Sequence, residues 1–148
     1  EVTWTLEEVN DGLFKVWQVK INTFHSDYLK NKIDEFNFKG EQQKAKKLAD
    51  GKQANFTPIK ISDEGLECIE WLSLDCTEAG TNAPWHSDVE IKIEKTGTVT
   101  LNGKKSQELW DATIKSEKKP LRLKIRSICG DETIFVFLNP GYGSFSAL

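Results

Sequence analysis

The stretch that most limits what this chain can become is Pro120 to Pro140, PLRLKIRSICGDETIFVFLNP. Its first arm alternates. Leu121, Leu123 and Ile125 point one way and Arg122, Lys124 and Arg126 the other, which is the period of two of a half-buried strand. Cys129 falls on the apolar side of the same count and is expected to face the core, bridged or buried and inert to thiol reagents. Gly130-Asp131 supplies turn chemistry. In the second arm Ile134, Phe135, Val136, Phe137 and Leu138 are apolar on both faces, so a central strand covered on both sides is expected, with all five side chains buried. The run is too short for a helix and is closed by Asn139-Pro140-Gly141. A β-hairpin in the core of a β-rich domain follows.

The remaining strand signals fit that frame. Glu1 to Leu6 reads as a short first strand, Asn10-Asp11-Gly12 as a turn, and Leu13 to Ile21 as a strand with Trp17, Val19 and Ile21 on one face. Phe56 to Ile61 and Leu66 to Asp75, separated by Ser62-Asp63-Glu64-Gly65, read as a second hairpin, and Leu66 to Cys76, with Leu66, Cys68, Leu72, Leu74 and Cys76 on one face and Ile69 and Trp71 on the other, is close to two-sided burial. Asp88 to Glu94 places Val89, Ile91 and Ile93 inward, and Lys95-Thr96-Gly97 turns it into Thr98 to Leu101, which ends at Asn102-Gly103. Trp110 to Ile114 and Tyr142 to Leu148 read as further short strands. Only Ser26 to Gln53 has helical character. Ser26 or Asp27 can cap it, Leu29, Ile33 and Phe36 recur at helical spacing, and Asp50-Gly51 stops it. Its lysines Lys44, Lys46 and Lys47 read as a solvated face. About nine or ten strands with regular turns predict an all-β, two-layer antiparallel sandwich with a short helical insertion around residues 26–53. At 148 residues one domain, 1–148, is expected. The acidic outward residues Asp88, Glu90 and Glu94 complement Arg122, Lys124 and Arg126, which predicts that the two strands are neighbours in one sheet.

Charge and composition narrow the partners. A net charge of −3 argues against general nucleic-acid binding, and no apolar run reaches the roughly 18 residues of a membrane span. The chain starts at Glu1 and contains no Met, which reads as signal cleavage or excision from a larger polypeptide. Of three cysteines, Cys68 and Cys76 are too far apart along one strand to bond each other, and Cys129 can pair with either or all three can be reduced. Asn55-Phe56-Thr57 is a glycosylation sequon.

The search for chemistry returns little. His86, Asp88 and Glu90 share one face by strand alternation and could ligate a cation, but no fourth convergent group is identifiable, so no metal and no cofactor are assigned. His25 reads as a loop residue. No nucleophile motif, phosphate loop or dinucleotide fingerprint is present, and paired carboxylates are open only because pairing is spatial. The loop Thr77 to Ser87 carries Trp85 after Pro84. Trp85 either folds back to plug the end of the sandwich or stands exposed as a ligand contact, with Asn82, His86 and Asp88 supplying hydrogen bonds around it. The expectation is a non-catalytic, extracellular or cell-surface recognition domain that binds a protein or glycan through loops or a sheet face. The alternatives are a structural or assembly domain of a larger polypeptide, and a hydrolase using surface carboxylates. The sequence leaves the oligomeric state open.

Overall fold

The computed structural model describes residues 1–80, 82–137 and 141–145, the last of these for the course of the backbone alone. Among the described residues ten strands run β1 Val2–Asp11, β2 Phe14–Phe24, β3 Ile69–Asp75, β4 Val89–Ile93, β5 Thr98–Leu101, β6 Lys104–Leu109, β7 Thr113–Ser116, β8 Arg122–Ser127, β9 Glu132–Val136 and β10 Gly141–Phe145, with one α-helix, α1 Asp27–Ala49. They form two antiparallel sheets, one in the order β10-β1-β2-β7 and one in the order β6-β5-β4-β3-β8-β9. The two-layer β-sandwich with a helical insertion is thus present. Val2, Leu6, Val19, Ile21 and Ile114 from the four-stranded sheet meet Leu72, Leu74, Ile91, Leu123, Ile125 and Phe135 from the six-stranded one, all of them buried. The alternation read in 13–21, 88–94 and 120–126 is what aims these side chains inward.

Local chemistry sets the ends of α1. The Ser26 hydroxyl accepts the Leu29 N–H at 3.3 Å, Asp27 lies in the first turn, and Lys46 and Lys47 lie in the last, each complementing the helix dipole. Asp50 and Gly51, at φ +72°, end it. Only Leu29 and Ile33 are buried, so the helix lies against the sandwich by its first turns.

Several expectations fail, each for a physical reason. Residues 56–61 form no strand. They run as a strap along α1: the Asn37 side chain donates to the Ile59 carbonyl and accepts its N–H, both at 2.9 Å, and Phe56 packs on Phe36 and into the space left by Gly40. Their apolar residues thus serve the helix rather than a hairpin. Lys104–Leu109 is a strand although its sequence is polar, because it is the edge strand β6, paired only with β5. The strands of 88–94 and 120–126 share a sheet but are not neighbours. β3 lies between them, pairing with β4 on one side and β8 on the other. Ile134 to Phe137 is not a central strand either, because β9 ends the six-strand order. Phe135 is buried, Ile134, Val136 and Phe137 are half-buried, and Leu138 lies outside the described residues. Cys129 does not face the core. β8 stops at Ser127, and Cys129 sits exposed in the turn that follows. Cys68, Cys76 and Cys129 are all unpaired, and Cys68 belongs to a short 3-10 turn before β3 rather than to a continuous strand. The strand covered on both faces is β3, where Leu72 and Leu74 face the core and Ser73 and Asp75, on the other face, are equally inaccessible.

Candidate functional site

What covers the outer face of β3 is the loop that leaves it. Strand alternation points Asp75 outward at the last position of β3, beside Arg122 on β8. The chain then folds back over both. Arg122 is the clamp: Nη2 donates to Asp75 Oδ2 at 2.5 Å and to the Pro84 carbonyl at 2.9 Å, and Nη1 donates to the carbonyls of Gly80 and Ala83 at 2.8 and 3.0 Å. Both side chains are wholly inaccessible. The outward Arg122 of the sequence pattern is therefore the largest fully buried side chain among the described residues.

Asp75 gathers the start of the loop as Arg122 gathers its end. Its Oδ1 accepts the N–H groups of Thr77 and Glu78 at 2.8 and 2.9 Å, and Oδ2 accepts the His86 N–H at 3.0 Å. Burial pushes its carboxyl up, but these three N–H donors and the Arg122 guanidinium outweigh burial and hold it at about 2.

Trp85 neither plugs the sandwich end nor stands free. It is half-buried on the outer face of the six-stranded sheet. Its Nε1 donates to the Ser73 hydroxyl at 3.2 Å, and Arg122 and Lys124 lie 4.9 and 4.8 Å from the ring centroid. Both cations rise from the outer face of β8, so they meet the ring from the sheet side. Asn82 is exposed at the loop tip.

His86 and Asp88 do meet. His86 Nδ1 lies 3.2 Å from Asp88 Oδ1, with the two side chains 60% and 26% exposed. Asp88 is itself held, because its Oδ2 accepts the Cys76 N–H at 2.6 Å and the Thr77 hydroxyl at 3.1 Å. Burial raises the Asp88 carboxyl, and the donors Cys76, His86 and Thr77 more than reverse that, leaving it below the usual range. A carboxylate at Nδ1 requires the proton there, which leaves the Nε2 lone pair pointing away from the cluster. Glu90, grouped with these two by alternation, goes elsewhere and accepts Trp71 Nε1 at 2.9 Å. Its place is taken by Asp75. Ligand atoms of Asp75, His86 and Asp88 lie within 4.8 Å of one another, an arrangement that could hold a metal ion.

This cluster corrects the expectation that the chain carries no catalytic constellation and is no enzyme. The members that pattern reading missed, Asp75 and Arg122, are 47 residues apart, and only the β3–β8 register brings them together. Their one sequence signal is a charged residue at the end of an apolar strand. Compared with protein-family models, with curated proteins and with solved structures, the chain matches none, so its family is not assigned by likeness and the site stands on its own geometry.

Proposed function

We propose that this protein is a hydrolase of carboxylic esters in which His86, oriented by Asp88, activates the attacking water. The observation that carries the reading is the 3.2 Å contact between His86 Nδ1 and Asp88 Oδ1 on a largely exposed imidazole. In that pose Nε2 takes a proton from water as its oxygen adds to the ester carbonyl, and the imidazolium returns the proton to the departing alkoxide. Asp88 holds the tautomer and stabilises the imidazolium. Asp75 takes no direct part. Its four lone pairs are filled by Thr77, Glu78, His86 and Arg122, so a cation would have to displace the guanidinium. For the same reason Asp75 and Asp88 do not supply the two free carboxyl groups of a glycosidase.

Trp85, next in sequence to His86 and half-buried, offers an apolar ring for the body of the substrate, and Asn82 a hydrogen-bonding side chain nearby in the loop. An ester borne on a glycan joins a ring to stack with a bond to cut, and fits the ligand class expected for Trp85. An extracellular or cell-surface location is proposed with it, and the exposed Asn55 of the sequon agrees.

The test is a panel of aryl esters and acylated sugars. Turnover should fall by roughly a hundredfold or more in His86→Ala, the low end of general-base contributions, and be partly restored by added imidazole. Asp88→Asn should lose activity with the fold intact by circular dichroism. A wild-type protein no faster than His86→Ala on every substrate would end the reading.

A further inference from the structure

A cleft of about 480 Å³ opens between the first turns of α1 and the strap at 59–63, away in sequence from the loop that carries His86. Phe24, Leu29 and Ile33 line it from the end of β2 and from the helix, and Ile59 and Ile61 from the strap. The volume falls in the range of small-molecule sites, about 300–1,000 Å³. The cleft is built into the fold. At one end Asn37 holds Ile59 by two hydrogen bonds of 2.9 Å, and Phe56 locks against Phe36 and Gly40. At the other, Glu67 accepts the Ser62 hydroxyl at 2.7 Å and also its N–H, and the Phe24 N–H donates to the Glu64 carbonyl at 2.8 Å. Although its backbone is tied to Asn37, Ile59 remains 41% exposed at the cleft.

The rim is acidic. Asp27 and Asp34 come from α1 and Asp63 from the strap, against one ammonium, Lys30. None of the three carboxylates has an ion-pair partner among the described residues. The polar edge of His25 is already engaged, its Nε2 lying 2.5 Å from the Asp63 carbonyl oxygen. An apolar floor under an excess of unpaired carboxylates selects a ligand by both features at once. An anionic amphiphile is repelled at the rim, and a neutral one gains only the burial.

We propose that this cleft binds an amphiphilic cation, with its apolar body between Leu29, Ile33, Ile59 and Ile61 and its ammonium at the acidic rim, drawn by the summed charge of Asp27, Asp34 and Asp63. The test is calorimetric titration of the full chain with octyltrimethylammonium, octyl sulfate and octanol. One saturable site is expected for the cation, about tenfold or more tighter than for either comparison compound. Asp34→Asn with Asp63→Asn should weaken the cation about tenfold and leave octanol unchanged, because both side chains lie at the rim and their loss spares the floor. Ile59→Trp should fill the cleft and abolish binding of all three. Octyl sulfate binding as tightly as the cation, cation binding indifferent to the two carboxylates, or uptake without saturation would each overturn the assignment.

Discussion

Replacing Arg122 by Met removes the clamp while keeping most of the apolar stem. The guanidinium makes four hydrogen bonds, one to Asp75 and three to the loop carbonyls of Gly80, Ala83 and Pro84, and neither it nor Asp75 reaches solvent. In Arg122→Met the Asp75 carboxylate keeps its three N–H donors but loses its counter-charge, and the carbonyls lose their donor unless water enters. Breaking a buried pair from one side costs about 3–5 kcal/mol, a large part of the roughly 5–15 kcal/mol that holds a domain of this kind together. With a urea slope of about 1–3 kcal/mol per molar, the unfolding midpoint should fall by about 2 M. Arg122→Lys should lie between the parent and Arg122→Met, since an ammonium restores the charge but cannot span four acceptors. The Arg122 Nε is buried with no partner, so the stabilisation resides in the two terminal nitrogens. A double-mutant cycle separates pair from packing: Asp75→Asn should cost less in the Arg122→Met background than alone, because there it removes an uncompensated charge. A loss below about 1 kcal/mol for Arg122→Met, the scale of an ordinary surface change, would show that the loop is not held by this residue.

Acid should act through the same pair. The Asp75 carboxyl is held at about 2 in the folded chain against its ordinary 3.8, so its contribution is complete above about pH 4 and is lost as the pH falls toward 2, by about 2 kcal/mol. Acid titrations of the parent and Asp75→Asn should diverge in that window, and parallel curves would contradict the assignment. Thiol alkylation followed by mass should label exposed Cys129 first and Cys68 last, because Cys68 is buried and burial, with the charges of Glu67 and Cys129, pushes its thiol up to about 11. Equal rates would contradict the placement of both. Phe135→Ala should cost about 3–5 kcal/mol in chemical denaturation and Phe137→Ala clearly less, since only Phe135 is buried although Trp4 packs on both rings, at 5.3 and 6.0 Å. The reverse order would contradict the placement of Phe135 in the core.

Periodicity carried the reading where one face of a strand is apolar, as at Leu123 and Ile125, at Ile91, and at Val19 and Ile21, and where caps are local, as at Ser26 and Gly51. It failed where a residue's partner is distant. Ile134 to Leu138 looks central because it is apolar, yet the doubly covered strand is β3, whose second face is Ser73 and Asp75 under a loop. The pattern of 66–76, with Leu72 and Leu74 on one face and Ile69 and Trp71 on the other, is itself close to two-sided, but it gives no sign that Ser73 and Asp75 are covered as well, because a loop held by hydrogen bonds covers them. Phe56 to Ile61 reads as a strand, with Ile59 and Ile61 two apart, but Ile59 is held by Asn37 and Phe56 fills the space left by Gly40 on α1. At the site, His86 and Asp88 were legible from spacing, two apart just before β4. Glu90 followed from the same alternation and was misplaced, because it bonds Trp71 instead. Asp75 and Arg122 were hidden because strand register sets their meeting. The charge complementarity of 88–94 and 120–126 is real in composition, yet both strands flank β3.

The clamp also fixes when the loop can take its shape. Arg122 lies 38 to 42 residues downstream of the loop carbonyls it binds and 47 downstream of Asp75. During synthesis at about 5–20 residues per second, the loop and its histidine emerge about 2–10 s before the arginine that fastens them. Over that interval Asp75 has no counter-ion and β3 lacks a partner on the β8 side. The carbonyls of residues 80, 83 and 84 lack the donor they have in the folded chain and stay hydrated. The nascent chain therefore acquires its imidazole–carboxylate pair in final form only after β8 has docked, and a ribosome stalled before residue 122 presents the His86 loop unfastened.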